Sequence, residues 1–296
     1  MLREIVEIIR PKQWYKNIVI GAAIFFSKNI TNADMLIAVV IGFFSLCMIS
    51  SSSYVINDIV DAQADKNHDQ KKHRPIPSGR LNPKIAIFLS ILMLCLGLYL
   101  ATLVNNAFLG IAAFLFGLTS AYNFFIKNIA FADISLLSAN FMVRAIAGAF
   151  AINVAPSPWL VLGTYLLALF LAIAKRKSDL QILGENAKKY KKVFEVYTKE
   201  FLEQSLLTVM GLLFITYCLY SFLSSAVHSV VLVMSTIPVV SFLIFRYYNF
   251  AISNHNMARR AEEIFTDKQM ALGMLLWIML FFISMYRNEI SIAVNL

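Results

Sequence analysis

Residues 57–80 read NDIVDAQADKNHDQKKHRPIPSGR, and they hold the densest set of groups able to do chemistry. Asp58, Asp61 and Asp65 stand at i, i+3 and i+7, so a continued helix places them on one face, with Asn57 one turn before Asp61. Three carboxylates on one stripe repel each other. A hard divalent cation removes that difficulty, and Mg²⁺ commonly uses one or two carboxylates together with substrate phosphates. Lys72, Arg74 and Arg80 follow, and such cations suit phosphate oxygens. The pattern is expected to form a metal–diphosphate site, against the plainer alternative of a charged loop beside a membrane.

Membrane elements position these groups. The chain has 296 residues, 59% of them hydrophobic, and a mean hydropathy of +0.70, which describes an integral membrane protein. The formal charge of +9 then reads as topology and attraction to lipid surfaces, and nucleic acid is not an expected partner. Cys47, Cys95 and Cys218 fall inside apolar runs and read as packing residues. No removable signal peptide is expected in the first residues, where charges are scattered.

Residues 2–9 suit a short amphipathic helix ended by Pro11. RPKQWYKN follows, with Trp14 and Tyr15 as interfacial anchors, while Arg10 and Lys12 serve either topology or a site. The first span runs from about Trp14 to Lys28, and the second, 35–56, delivers the acidic motif. Residues 85–126 and 204–245 carry no charge, and each is long enough for two crossings of a ~30 Å core. Their turns fall at Asn105–Asn106 and in residues 224–229, where His228 reads as a solvated loop residue. A fifth span, 129–152, contains Asp133 and Arg144; a charge at that depth faces a cavity or a partner, so Arg144 is either a site residue or half of an ion pair. The sixth span ends at Lys175, Arg176 and Lys177, and the ninth covers 269–286. With the N-terminus in the cytoplasm, 23 of the 26 Lys and Arg lie on that side. Loops 57–84, 175–203 and 246–268 are then expected to be cytoplasmic and to cap one active site in a single domain, 1–296, of a cell (inner) membrane protein.

The acidic motif with its RPIPSGR tail resembles the UbiA-type intramembrane transferase superfamily. So do YNFFIKN, which contains Tyr122 and Lys127, the span from Asp133 through Arg144-Ala-Ile-Ala-Gly, and the nine-helix layout. The resemblance implies an all-α bundle around a lipid-open cavity, with Asn57, Asp58, Asp61 and Asp65 binding a diphosphate through Mg²⁺. Prenyl-donor members carry a second Asp-rich motif after the sixth helix; this chain has Asp179 and Glu185 there, no DxxxD, and eight cations from Lys175 to Lys199. RPKQWYKN, KRKSDL and ARRAEEIFTDKQMALGMLLW resemble the branch of decaprenyl-phosphate phosphoribosyltransferases. That branch implies phosphoribosyl diphosphate as donor and a polyprenyl phosphate as acceptor, the acceptor phosphate being held by Lys16, Lys175 and Arg176. Asp179 is then a second-metal or ribose-hydroxyl ligand. Tyr122 and Tyr190 either bond phosphate or ribose or anchor at the interface. The alternatives are a prenyl diphosphate:aromatic or lipid acceptor prenyltransferase, and a transporter, which the clustering of carboxylates at one membrane face disfavours. Membrane lipids are expected partners, and association of several copies is compatible with the sequence.

Overall fold

The structure, a computed structural model, describes residues 2–66, 71–224, 230–253, 255–259 and 261–294. Among them there is no strand, and eight helices are long and apolar enough to cross a membrane. The protein is an all-α integral membrane protein. The chain divides into two compact units. The first comprises 1–25, 29–124 and 143–156, and the second 26–28, 125–142 and 157–296.

In the first unit, α1 (Leu2–Ile9) stops before Pro11, as expected. The first expected span takes a different form. Pro11–Ile20 is a 3₁₀ helix that passes into α2 (Gly21–Phe26). With about 2.0 Å per 3₁₀ residue and about 1.5 Å per α residue the stretch is roughly 29 Å long, but it is not among the eight helices long and apolar enough to cross a membrane, so eight of the nine expected spans are seen among the described residues. Asn32 then caps α3 (Ala33–Val60) by accepting from the Met35 amide, and a turn at Asp61 leads to α4 (Ala62–Asp65). The amides of Asp61 and Asp65 still bond the carbonyls of Asn57 and Asp61, so the helical spacing of the motif survives the turn.

The uncharged hairpin forms as α5 (Pro83–Val104) and α6 (Asn106–Ala121), with Asn105 at the turn. Asn105 is extended; its side-chain Oδ1 accepts from the Phe108 amide, and its Nδ2 donates to the Phe150 carbonyl in α7 (Ala132–Ala151). Helices α3 and α5 pack through small residues: the Ser45 hydroxyl donates to the Gly97 carbonyl, and Ser52 and Ser90 pair at 3.0 Å. Small residues let backbones approach closely where lipid offers no hydrophobic drive for association. At the motif end, Ile8, Val55, Ile76, Leu81 and Ala86 form a buried cluster that seats the RPIPSGR turn.

The second unit contains α8 (Pro158–Leu183), α9 (Ala187–Tyr190), α10 (Lys199–Leu223), α11 (Val230–Met234), α12 (Ile237–Ser253), α13 (His255–Arg259) and α14 (Lys268–Val294). Pro158 occupies the first turn of α8, where its missing N–H costs nothing. Helix α8 runs past the expected end of the span to Leu183, with Arg176, Lys177, Ser178 and Asp179 buried. Carboxylates from distant segments lie against this cation run. Helix α12 likewise continues past Arg246, which donates two hydrogen bonds to Asp267. Those bonds hold the Asp267 carboxyl down at about 2. The expected turn containing His228 lies outside the described residues.

A Cβ added at Gly148 would lie 2.0 Å from the Ile20 carbonyl oxygen, a backbone atom that cannot swing away, whereas one added at Gly117 would meet nothing within 4 Å. Gly148→Ala should therefore lower the thermal midpoint of the detergent-solubilised protein by several degrees, following roughly 1–3 kcal/mol of overpacking. Gly117→Ala should leave it unchanged or slightly raised, as a tryptophan-fluorescence melt can show.

Candidate active site

In the first unit the acidic motif is buried and already matched by cations. Asp58 is 1% exposed and Asp65 is 3% exposed. Bare carboxylates at that depth would be expensive, so each must be paired. Arg10 Nη2 donates to both oxygens of Asp58, at 2.6 and 2.7 Å, and its guanidinium lies 5.5 Å from the Tyr54 ring centre. Arg74 Nη1 donates to Asp58 at 3.0 Å and to Asp65 at 2.7 Å, bridging the two, and Lys71 approaches Asp65 at 3.6 Å. Asn57 and Asp61 sit half-buried on the same turns.

The N-terminal 3₁₀ segment lies along α3 and closes one side of this cluster. One turn after another, Arg10 meets Asp58, the Trp14 indole N–H donates to the Ser51 hydroxyl, and the Asn17 amide donates to Cys47 Sγ. Trp14, expected as an interfacial anchor, is thereby bonded to the helix. Arg144 is buried and its Nε donates to Asn17 Oδ1 at 2.8 Å, which places it in the same unit as the acidic motif.

The other expected residues are spread more widely. Arg80 turns to Glu7, donating two hydrogen bonds at 3.0 Å, and Lys72 is exposed. The Lys16 ammonium lies 5.9 Å from the centre of the Tyr15 ring. Tyr122 opens a π-helical turn, Tyr122–Ile126, and is half-buried; Lys127, just beyond it, is half-buried too.

The second unit gathers its own charged cluster around Asp133, which is fully buried at the start of α7. Arg176 Nε and Lys191 Nζ each donate to Asp133 Oδ2 at 2.8 Å, and the Tyr197 hydroxyl donates to Oδ1 while accepting from the Phe131 amide. Asp179 lies 3.7 Å from Arg176 Nη1 and 2.8 Å from Arg259 Nε, the latter contact falling off the hydrogen-bond direction. Lys177 is buried and reaches Glu203 at 3.1 Å, while Lys175 is exposed. Burial, and then the like charge of Arg176, lower the Lys191 ammonium to about 8, the pull of Asp133 notwithstanding. Burial and the bond to Asp133 push the Tyr197 hydroxyl up, so it remains a proton donor. The Tyr190 side chain lies outside the described residues.

Sequence reasoning left Arg10 undecided and missed Lys191, Tyr197 and Arg259. Lys191 is one of four lysines in KKYKK, and nothing in that run distinguishes it; its partner is 58 residues away.

Among the described residues no three His, Cys, Asp or Glu side chains gather into one metal-binding group, so the expected set of Asn57, Asp58, Asp61 and Asp65 is not assembled as a closed cage. The donor chemistry nonetheless fits Mg²⁺. Two hard-oxygen carboxylates converge on a single cationic atom, Arg74 Nη1, and two carboxylates with substrate phosphates are a usual Mg²⁺ complement.

The sequence profile of the UbiA prenyltransferase family matches residues 18–273. The chain belongs to that family, and so to a family of transferases embedded in membranes. It is 32% identical over 202 residues to a decaprenyl-phosphate phosphoribosyltransferase of Mycolicibacterium smegmatis, covering 67% of this chain and 64% of that protein. To the Corynebacterium glutamicum protein of the same name it is 32% identical over 201 residues, covering 67% and 60%. The matched stretch thus spans somewhat less than two thirds of these relatives. A UbiA homologue from Archaeoglobus fulgidus, solved bound to DMAPP and Mg²⁺, superposes with a TM-score of 0.69 at 19% identity, covering 95% of this chain and 99% of that one, which establishes the fold.

Asp133→Asn should destabilise the folded protein by about 3–5 kcal/mol, because Arg176 and Lys191 would be left buried without their counter-charge. Lys175→Ala, at an exposed position, should change stability by less than about 0.5 kcal/mol. Denaturant melts in one detergent compare the two.

Proposed function

We propose that this protein transfers 5-phosphoribose from phosphoribosyl diphosphate to a polyprenyl phosphate, releasing diphosphate, with Mg²⁺ as cofactor. The observation that carries the reading is the charge of the second cluster. Its carboxylates, Asp133 and Asp179, are already taken by Arg176, Lys191 and Arg259, and Lys175 stands exposed beside them in sequence. Such a cluster suits an anionic acceptor better than a neutral phenol. The names of the relatives from Mycolicibacterium and Corynebacterium support the same branch.

On this reading Asp58 and Asp65, with Asn57 and Asp61 beside them, hold Mg²⁺ and through it the donor's diphosphate. When bound, the ion neutralises charge building on the leaving group. Arg74 adds fixed positive charge to the same oxygens, with Lys72, Arg80 and Lys127 as further phosphate cations. In the second unit Arg176, Lys175 and Lys191 are assigned to the acceptor phosphate and Asp179 to a ribose hydroxyl. In the first unit Tyr122 and Arg144 are assigned to the donor's sugar and its phosphate. An acceptor phosphate oxygen attacks ribose C1 while the bond from C1 to the diphosphate oxygen breaks. The phosphate monoester, with a second pKa near about 6, is already dianionic at neutral pH, so no proton has to be removed. Positioning and charge then supply most of the rate. The N-terminus and these loops are assigned to the cytoplasmic side of the cell membrane, and the product to the supply of sugar donors for the cell envelope.

Purified protein should convert phosphoribosyl diphosphate and decaprenyl phosphate in the presence of Mg²⁺, and Asp58→Asn or Asp61→Asn should lower turnover at least about a hundredfold while the protein still purifies folded. Near-normal rates in both variants would reduce the motif to a charged loop. Lys191 should also leave a pH signature. Its ammonium loses charge as pH rises through about 8, so the KM for the acceptor should climb there by several fold. In Lys191→Arg, charged throughout this range, the climb should disappear.

A further inference from the structure

Arg10 is held in a conformation its sequence disfavours. It precedes Pro11, where clash with the proline ring steers the backbone to extended angles, yet it adopts φ 57 and ψ 58, the left-handed region. From that position its guanidinium is chelated by both oxygens of Asp58. Arg74 does the equivalent for Asp58 and Asp65 together. The two arginines therefore cover the carboxylates that the proposed function gives to the metal. Both arginine side chains remain about a quarter exposed, while the aspartate side chains they cover are nearly inaccessible. The cations have room to move, and the anions do not.

We propose, building on the reading of the acidic motif as the metal–diphosphate site, that Arg10 and Arg74 are exchangeable counter-ions. They neutralise Asp58 and Asp65 before the donor arrives. When metal and diphosphate enter together, they release the carboxylates to the metal and turn their forks onto the diphosphate oxygens. Charge bookkeeping favours this order. Metal alone must displace two guanidinium groups into a site that would then be strongly positive, and diphosphate alone would meet carboxylates already content with their partners. Together, the divalent ion takes the carboxylates and the diphosphate takes the arginines. Toward the carboxylates each arginine uses a single nitrogen, Arg10 Nη2 and Arg74 Nη1, whereas phosphate oxygens suit the full fork of a guanidinium, so the same side chain serves in both states. Metal and diphosphate should then bind with strong mutual coupling, and by linkage each should raise the other's affinity by the same factor.

The test measures binding without turnover, on protein in nanodiscs. Mn²⁺ binding alone is read by electron paramagnetic resonance, and binding of labelled inorganic diphosphate is read at saturating Mg²⁺. Removing one neighbouring charge from a partly screened site should shift each affinity by about tenfold. In Arg10→Gln, Mn²⁺ alone should bind about tenfold more tightly, because a competitor for Asp58 is gone, and diphosphate should bind about tenfold more weakly. Arg10→Lys, which keeps the charge and the one-nitrogen pairing with Asp58 but not the fork, should leave Mn²⁺ binding as it is and weaken diphosphate binding by about threefold, and it answers the question if the Gln variant does not fold. Mn²⁺ binding weakened or unchanged in Arg10→Gln, or diphosphate binding unchanged in Arg10→Lys, in a protein whose Mn²⁺ and diphosphate binding is lost in Asp58→Asn, would overturn the exchange and leave the site standing. Wild-type protein binding neither ligand would instead overturn the site itself, and the exchange with it.

Discussion

A carboxylate buried at the edge of a membrane is stable only if opposite charge is brought to it, and most of the polar architecture of this protein meets that requirement. Asp58 and Asp65 are matched by Arg10 and Arg74, and Asp133 by Arg176 and Lys191. Each partner comes from a different segment of chain. The N-terminal 3₁₀ segment carries Arg10, the RPIPSGR turn carries Arg74, and the stretch after α8 carries Lys191. Segments that look like connecting loops are therefore fixed by ionic contacts to the ends of membrane helices. Such pairs contribute little net stability compared with an apolar substitute, but breaking one leaves a stranded charge. On the proposed reading, these cations and carboxylates are the groups that anionic substrates and a divalent ion would re-partner.

The scaffold that carries these charges is shaped by the membrane's lack of competing hydrogen-bond partners. Every helix must satisfy its own backbone, and caps appear where helices begin: Asn32 on α3, Asn82 on α5, Asn105 on α6 and Thr198 on α10. Close packing falls to small residues. Gly97 receives Ser45 and Ile49, and Gly148 lies against the Ile20 backbone. These contacts fix the N-terminal segment and α3 within the first unit, and with them the register that puts Arg10 beside Asp58.

Local features were readable in the sequence because their causes are local. Pro11 stops α1, Asn105 turns the uncharged hairpin, Pro158 starts α8, and the spacing of Asp58, Asp61 and Asp65 keeps its helical repeat through the turn. What escaped were effects set by partners far along the chain. Lys175, Arg176 and Lys177 read as the end of a span because a cation run is costly in lipid. The helix itself runs on to Leu183, and Asp133, 43 residues before Arg176, and Glu203 take up two of those charges. Arg10 could not be told from a topology marker until Asp58, 48 residues on, was found beneath it. The 3₁₀ form of Pro11–Ile20, where an α-helical span was expected, had no sign in the sequence.

The central claim is that this member of the UbiA prenyltransferase family takes a phosphoribosyl rather than a prenyl donor, and one comparison tests it most directly. Purified protein with Mg²⁺ is given labelled phosphoribosyl diphosphate and polyprenyl phosphate in one reaction, and labelled prenyl diphosphate with aromatic and lipid acceptors in another. A ribose label should become extractable into organic solvent in the first reaction, with no transfer in the second. Label moving only from the prenyl diphosphate would contradict it, and would mean that the cation-rich second cluster serves some purpose other than holding an acceptor phosphate.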